Sequence, residues 1–245
     1  MAAGTLLLIG AVFFVAGFAK GVIGLGLPTI AMGLLALALS PVEAAGILVL
    51  PSLLTNAWQM VVGPSLLSLI RRLWPMMLAV CIGTWTGLGL MSGAGARYGT
   101  MLLGGALVAY ALIGLLSARL VVASARESLW GPAVGAVTGL ITASTGVFVI
   151  PAVPYLQAIG LEKEELMQAL GLSFTVSTLA LAVNVAAAGG FDVAMAGSTV
   201  LALALAVAGM AAGQFVRHRL SAALFRRCFF TGLLLGVHLM VRASF

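Results

Sequence analysis

Long apolar stretches, separated by short polar junctions, follow one another from about residue 5 to residue 241. They are continuous in Leu, Ala, Gly and Val, so they lack the alternation of a membrane β-strand. Most of them are long enough for a helix that crosses a bilayer core about 30 Å thick, and helices satisfy their own backbone hydrogen bonds in lipid. The pattern predicts an all-α integral membrane protein.

The polar junctions divide the chain into two sets of five helical segments, which we label A to E and A′ to E′. Their approximate predicted bounds are Thr5–Phe18 or Gly21 (A), Thr29–Leu39 (B), Ser40–Val62 (C), Leu73–Met91 (D), Tyr98–Ser117 (E), Leu129–Ala143 (A′), Val147–Ile159 (B′), Glu164–Ala188 (C′), Val193–Phe215 (D′) and Ala222–Val241 (E′). Segment B is too short to cross a bilayer comfortably at 1.5 Å per residue. A and B are therefore expected to form a broken or re-entrant hairpin.

Three features of the first set recur in the second. A broken A/B segment contains Pro28 or Pro151, segments C and C′ begin with acids, and segments D and D′ carry Gly-x-x-x-Gly. Recurrence in register indicates an internal duplication. We predict an N-terminal repeat over residues 1–118, a cytoplasmic linker over 119–127 and a C-terminal repeat over 128–245.

Composition supports this assignment and changes how the charge is interpreted. With 62% hydrophobic and 7% charged residues and a mean hydropathy of +1.22, the chain cannot cover a water-facing surface. The net charge of +6 would suggest nucleic acid as the partner of a soluble protein. Here the arginines lie at helix ends, so they are topology signals and no nucleic acid is expected.

Arginine placement predicts the orientation, because cytoplasmic loops collect Lys and Arg. Arginines lie between C and D (Arg71, Arg72), between E and A′ (Arg119, Arg126) and between D′ and E′ (Arg217, Arg219, Arg226, Arg227). These three junctions share one side only if each A/B pair makes an even number of crossings. The second repeat is then inverted relative to the first, and both termini are periplasmic.

One glycine-rich stretch stands out within the first apolar block: Gly17-Phe-Ala-Lys20-Gly21-Val-Ile-Gly24-Leu-Gly26-Leu-Pro28-Thr29. A cation at membrane depth is expensive and is a functional candidate, and glycines allow close backbone approach. A helix start near Thr29 would offer N–H groups to an anion. The alternatives are that Lys20 extends to the interface and that Gly21, Gly24 and Gly26 only allow close helix packing.

A weaker copy, Gly139 to Pro151, supplies hydroxyl groups and no charge. Its candidate residues are Thr142, Ser144, Thr145 and Gly146. Segments C and C′ add polar groups in apolar surroundings, among which Asn56 and Ser173 are the predicted cavity residues; interhelical hydrogen bonding is the alternative role. One lysine with hydroxyls and helix N-termini predicts a binding site for a small anion.

Other chemistry lacks support in the sequence. There is no His-Glu-x-x-His, Gly-x-Ser-x-Gly or Walker motif, and Cys81 and Cys228 have no metal-ligand spacing. No carboxylate lies within an apolar segment as a proton relay. We therefore expect no enzymatic activity, no cofactor and no metal.

The glycine-rich stretch, followed by Ser40-Pro-Val-Glu43-Ala-Ala and by the degenerate second copy, resembles the sulfite exporter TauE/SafE family over nearly the whole chain. That resemblance implies a bacterial inner-membrane permease of two related halves that exports sulfite or a small organosulfonate such as sulfoacetate. The second copy departs from the usual glycine-rich form at Ala143-Ser144-Thr145-Gly146.

The leading hypothesis is a secondary transporter that exports a small sulfur-containing anion by alternating access. An anion channel, an uptake permease for another carboxylate or oxyanion, and a non-transporting scaffold subunit remain open alternatives. The expected partners are a small anionic substrate and the lipid bilayer. The sequence permits a homo-oligomer without requiring one.

Overall fold

Helices make up the architecture of the computed structural model, which describes residues 3–92, 95–116, 121–217, 219, 227 and 229–234. The helices are α1 (Ala3–Ile23), α2 (Leu27–Leu35), α3 (Pro41–Val61), α4 (Leu66–Thr86), α5 (Gly95–Leu116), α6 (Glu127–Thr145), α7 (Ala152–Ala158), α8 (Lys163–Ala187) and α9 (Ala196–Val216). Short 3-10 turns, Ser124–Arg126 and Val193–Met195, precede α6 and α9, and residues 229–234 are helical. The described residues contain no strand, and the all-α prediction is confirmed. Most of segment E′ lies outside them.

Five helices in the described part of the chain are long and apolar enough to cross a membrane. They are α1, α3, α4, α8, and α9 with the turn before it, and their mean hydropathies run from 1.3 to 2.3. Large apolar side chains point outward, among them Leu7, Trp58 and Phe215. A surface of that kind is stable in lipid. The protein is a multi-pass membrane protein.

Two helix starts agree with the sequence because the signals are local. Ser40 Oγ accepts a hydrogen bond from Glu43 N, and the Glu43 carboxylate accepts one from Ser40 N at 2.9 Å, so α3 begins with a capping box and Pro41. Glu162 and Glu165 form the same reciprocal arrangement at the start of α8. The acidic starts predicted for C and C′ are confirmed.

Three predicted boundaries differ from the structure. Of the two ends predicted for segment A, Gly21 is the nearer one, since α1 continues to Ile23; Lys20 and Gly21 lie within the helix and the break comes at Gly24. α4 begins at Leu66, which places Arg71 and Arg72 in its early turns, not in a loop. Arginine is a good helix former, and its long stem reaches the interface from inside a helix.

The third boundary concerns segment B′, in which α7 covers only Ala152–Ala158. Residues 147–150 are not helical. Val147, Val149 and Ile150 are β-branched, and the residue before Pro151 is biased away from the α conformation. The peptide bond between Ile150 and Pro151 is cis.

Glycines bring two pairs of helices into backbone contact. A Cβ at Gly17 or Gly209 would overlap the carbonyl oxygen of Ala206 or Phe14, so α1 and α9 touch along their main chains. α4 and α6 do the same, with Gly83 against Ala136 and Gly139 against Val80. The close contact predicted for the Gly-x-x-x-Gly motifs of D and D′ is confirmed.

The order of these contacts gives the relative helix directions. Residues later in α1 contact residues later in α9, and the same holds for α4 and α6. The two helices of each pair are therefore parallel. α3 and α8 are antiparallel, because Met60 near the end of α3 meets Gln168 near the start of α8, while Gly46 near the start of α3 meets Gly190 just after α8 ends.

One end of the bundle, which we call the linker face, collects residues 62–65, residues 121–126, the start of α8 and the end of α9. Arg72 Nη2 lies 2.7 Å from Glu127 Oε1 and joins the starts of α4 and α6. Ser65 N donates to Gln168 Oε1 at 2.9 Å, and Val122 N donates to Ala158 O at 2.9 Å. These contacts fix the connections around one end of the molecule.

Candidate functional site

Lys20 is buried inside the bundle, with 4% of its surface exposed. Its position follows from the packing of α1, since Gly17 and Gly21 lie against the backbone of α9 and the lysine between them reaches α3. There Lys20 Nζ donates to Asn56 Oδ1. An ammonium has three donors, and Asn56 is the one acceptor that it contacts among the described residues.

Asn56 connects Lys20 to a wholly buried hydroxyl pair between α3 and α8. Asn56 Nδ2 donates to Ser52 Oγ at 3.0 Å and lies 3.4 Å from Thr178 Oγ1. The two hydroxyl oxygens are 3.2 Å apart, and Thr178 donates onward to Phe174 O at 2.6 Å. Because these groups hold one another in place, the Asn56 carbonyl is oriented toward Lys20.

A cavity of about 930 Å³ leads from Lys20 to the linker face. Its walls come from the ends of α1, α3 and α9 and from the start of α8. Its polar lining residues are Lys20, Thr55, Gln59, Lys163, Glu164, Gln214 and Arg217. Lys20 at its inner end is therefore within reach of a small molecule from that side.

The first helix break is tied to the cavity wall. Gly24 and Gly26 have φ values of 77° and 113°, which glycine tolerates at low cost. Gln59 Nε2 donates to Met167 O at 3.0 Å and lies 3.4 Å from Gly24 O. Thr29, fully buried near the start of α2, donates its hydroxyl to Gly26 O at 2.9 Å. Lys20, Gly21 and Gly24 line the cavity; Gly26 and Thr29 shape the turn beside it.

At the second helix break, the hydroxyl groups donate hydrogen bonds within their own helix. Thr142 donates to Thr138 O at 2.7 Å, Ser144 donates to Leu140 O at 3.1 Å and Thr145 donates to Ile141 O at 2.6 Å. Gly146, with φ 71°, ends α6 and packs against Met32. None of the hydrogen bonds among the described residues joins this break to Lys20 or Asn56.

Ser173 is fully buried, and its Oγ has no hydrogen-bond partner in the described part of the chain. Ser177 Oγ and Asn184 Oδ1, on the same side of α8, are likewise without a partner there. Asn184 Nδ2 donates to Thr84 O at 2.9 Å, which turns this side of α8 toward α4. The structure thus gives Ser173 no contact with the Lys20 network.

Ser52 and Thr178 belong to the network, although Asn56 and Ser173 were preferred among the polar residues of segments C and C′. The sequence spacing contained a signal for each of these two residues. Ser52 lies four residues before Asn56 and shares its helix face. Thr178 lies 122 positions after Asn56, the spacing that also separates the acidic starts at Glu43 and Glu165.

Comparison with known proteins gives one match. The family model described as TauE, Sulfite exporter TauE/SafE, matches residues 9–240. The searches of curated proteins and of solved structures found no match.

Proposed function

Because the chain belongs to the sulfite exporter TauE/SafE family, we propose that it is a secondary transporter that exports a small sulfur-containing anion, sulfite or an organosulfonate, by alternating access. The observation that carries the proposal is the buried Lys20 at the inner end of a cavity. Burying an ammonium costs about 3 kcal/mol or more on insertion scales, so its position suggests a function. Two of its three donors remain for a ligand.

The surroundings of Lys20 favour an oxyanion. The Asn56 amide and the hydroxyls of Ser52 and Thr178 are uncharged, and the described network contains no carboxylate to neutralise the ammonium. A sulfite or sulfonate group has oxygen acceptors for both free N–H bonds of Lys20. Exchange of the Asn56 contact for substrate oxygens would keep the ammonium hydrogen-bonded throughout.

Several features support two inverted repeats, over 1–118 and 128–245, joined by a linker over 119–127. Helix ends (Ile23, Thr145), left-handed glycines (Gly24, Gly146) and helix starts (Pro41, Lys163) each recur at the 122-residue spacing of Asn56 and Thr178. The parallel and antiparallel contacts make α1 and α6 run in opposite directions. Such repeats commonly place the substrate between them.

The proposed orientation puts the linker face in the cytoplasm. Basic side chains at that face, in the described part of the chain, include Arg71, Arg72, Arg126, Lys163, Arg217 and Arg219. Positive residues favour the cytoplasmic side, so both termini would be periplasmic and the membrane would be the bacterial inner membrane.

Alternating access is supported by the position of the cavity, which reaches Lys20 from the linker face between the ends of α1, α3 and α9 and the start of α8. The α3–α8 interface itself is closely packed at both ends. A Cβ at Gly171 would overlap the backbone of Met60, and one at Gly46 would overlap the carbonyl oxygen of Gly190. A site reached from one face is what alternating access expects of a single conformation.

A flux assay in proteoliposomes tests the proposal. Sulfite, sulfate, thiosulfate, sulfoacetate and simple carboxylates should be compared, with counterflow to separate a carrier from a channel. We expect saturable flux and counterflow for a sulfur-containing anion, and loss of both in Lys20→Ala, which removes the only charge in the network. Arg71→Ala, an exposed arginine on α4, is the matched control.

Unchanged flux in Lys20→Ala would contradict the role of Lys20. Conductance without counterflow would favour the channel. If no anion crosses with the protein and none shifts its thermal unfolding, the scaffold function is favoured instead.

A further inference from the structure

The cavity carries a second, shallower pair of cations at its mouth. Lys163, the first residue of α8, and Arg217, directly after α9, both line it. Neither side chain has an ion-pair partner among the described residues, where Arg72–Glu127 is the salt bridge that occurs. One carboxylate, Glu164, lies beside them, so three cations face one anion across the cavity lining.

Helix geometry separates the mouth from Lys20. The Met167 side chain contacts Gly24, so these two residues lie at one level. Lys163 is one turn before Met167, toward the linker face, and Lys20 is one turn deeper than Gly24. At a rise of 1.5 Å per residue, the backbone levels of Lys163 and Lys20 are about 12 Å apart along the bundle. An anion that enters from the linker face therefore passes the level of Lys163 before it reaches that of Lys20.

In the other half of the chain, the positions that correspond to these cations carry uncharged residues. At the 122-residue spacing, Pro41 corresponds to Lys163 and Thr142 to Lys20. When the two Gly-x-x-x-Gly motifs are aligned, Met91 stands at the position of Arg217. The cations of the cavity lining lie along the route from the linker face, where they can raise the local anion concentration.

We propose that Lys163 and Arg217 form an anion-recruiting subsite at the mouth of the cavity, which lowers the half-saturating substrate concentration from the linker face and not from the opposite face. This inference rests on the proposed transport function. The subsite cannot change the equilibrium distribution of the anion across the membrane, since a binding site affects the forward and reverse directions of transport equally. It favours capture of a dilute anion on one side.

The test compares half-saturation in membrane vesicles of the two orientations at low and high ionic strength. For Lys163→Gln with Arg217→Gln, we expect half-saturation from the linker face to rise about three- to tenfold at low salt, as two partly exposed charges allow. Maximal flux from the linker face and half-saturation from the other face should stay the same. Maximal flux from the other face should fall by the same factor, because without a gradient the ratio of maximal flux to half-saturation must be equal in the two directions. The rise should shrink at about 0.15 M salt, where the Debye length is about 8 Å.

Two further variants sharpen the result. Glu164→Gln removes the only carboxylate of the lining, so it should lower half-saturation from the linker face. Arg219→Gln removes the same charge as Arg217→Gln from a residue stacked on Phe215 outside the cavity, and it should raise half-saturation from the linker face less than Arg217→Gln does. The single variants Lys163→Gln and Arg217→Gln serve if the double variant is poorly inserted.

Equal half-saturation in the double variant and the unmodified protein, or an equal rise from both faces, would overturn the subsite while leaving the transport function intact. Absence of saturable flux in the unmodified protein would instead contradict the transport function, and the subsite with it.

Discussion

At the scale of single residues, the hydrogen bond between Lys20 and Asn56 makes the site sensitive to one atom. Asn56→Asp places a carboxylate of nearly the same shape beside the ammonium. The resulting ion pair would satisfy Lys20 and cancel the charge that attracts the substrate. We therefore expect Asn56→Asp to keep its thermal stability and to lose anion flux.

Asn56→Leu is the matched comparison, because it removes the acceptor without supplying a charge. It leaves a buried ammonium unpaired and should lower the free energy of unfolding by about 1–3 kcal/mol or more. Thermal unfolding in detergent and flux in proteoliposomes measure the two effects. Full flux in Asn56→Asp would show that Lys20 does not face the substrate from this position.

Lys20 and Asn56 were predictable individually and their contact was not. Burying a charge or an amide within an apolar segment costs free energy, so the sequence alone identified each residue as a candidate. Their contact depends on how α1 crosses α3, which the buried glycines of α1 and α9 decide. Ser173 carried a similar polar signal, yet it lies on a different side of α8 from Thr178.

At the scale of helices, the contact between α1 and α9 depends on Gly209, whose added Cβ would overlap Phe14 O. We expect Gly209→Val to destabilise the protein by about 1–3 kcal/mol or more through overpacking. Gly197→Val, in the same helix, has open space around its Cβ and controls for helix propensity. Unfolding temperatures followed by tryptophan fluorescence compare the variants, and equal values would show that the helices can separate at no cost.

Helix boundaries were predictable where the signals are local. Ser40, Pro41 and Glu43 fix the start of α3 by capping, and the structure agrees. The start of α4 was missed because arginine is compatible with both a loop and a helix; what orders Arg72 is its bridge to Glu127 and its 2.8 Å hydrogen bond to Ile159 O. Such long-range partners leave no trace in local sequence.

At the scale of the whole molecule, the cavity makes a prediction about access. In a background with Cys81→Ser and Cys228→Ser, Met210→Cys places a thiol in the cavity wall. A membrane-impermeant thiol reagent should label it from the linker face, and a saturating non-nucleophilic sulfonate should slow that labelling. Arg219→Cys, exposed at the same face, should react at an unchanged rate. Faster labelling of Met210→Cys from the opposite face would contradict the assigned orientation of the cavity.

In the proposed inverted repeats, Asn56 and Thr178 occupy corresponding positions, and their side chains lie 3.4 Å apart. Counterparts of a two-fold arrangement can meet only near its axis. If the halves exchange conformations during transport, this pair acts as a pivot and keeps similar surroundings in both states. In the same arrangement, the counterpart of Lys20 is the uncharged Thr142. An anion that departs on the far side would then meet no ammonium at the corresponding position, which favours its release.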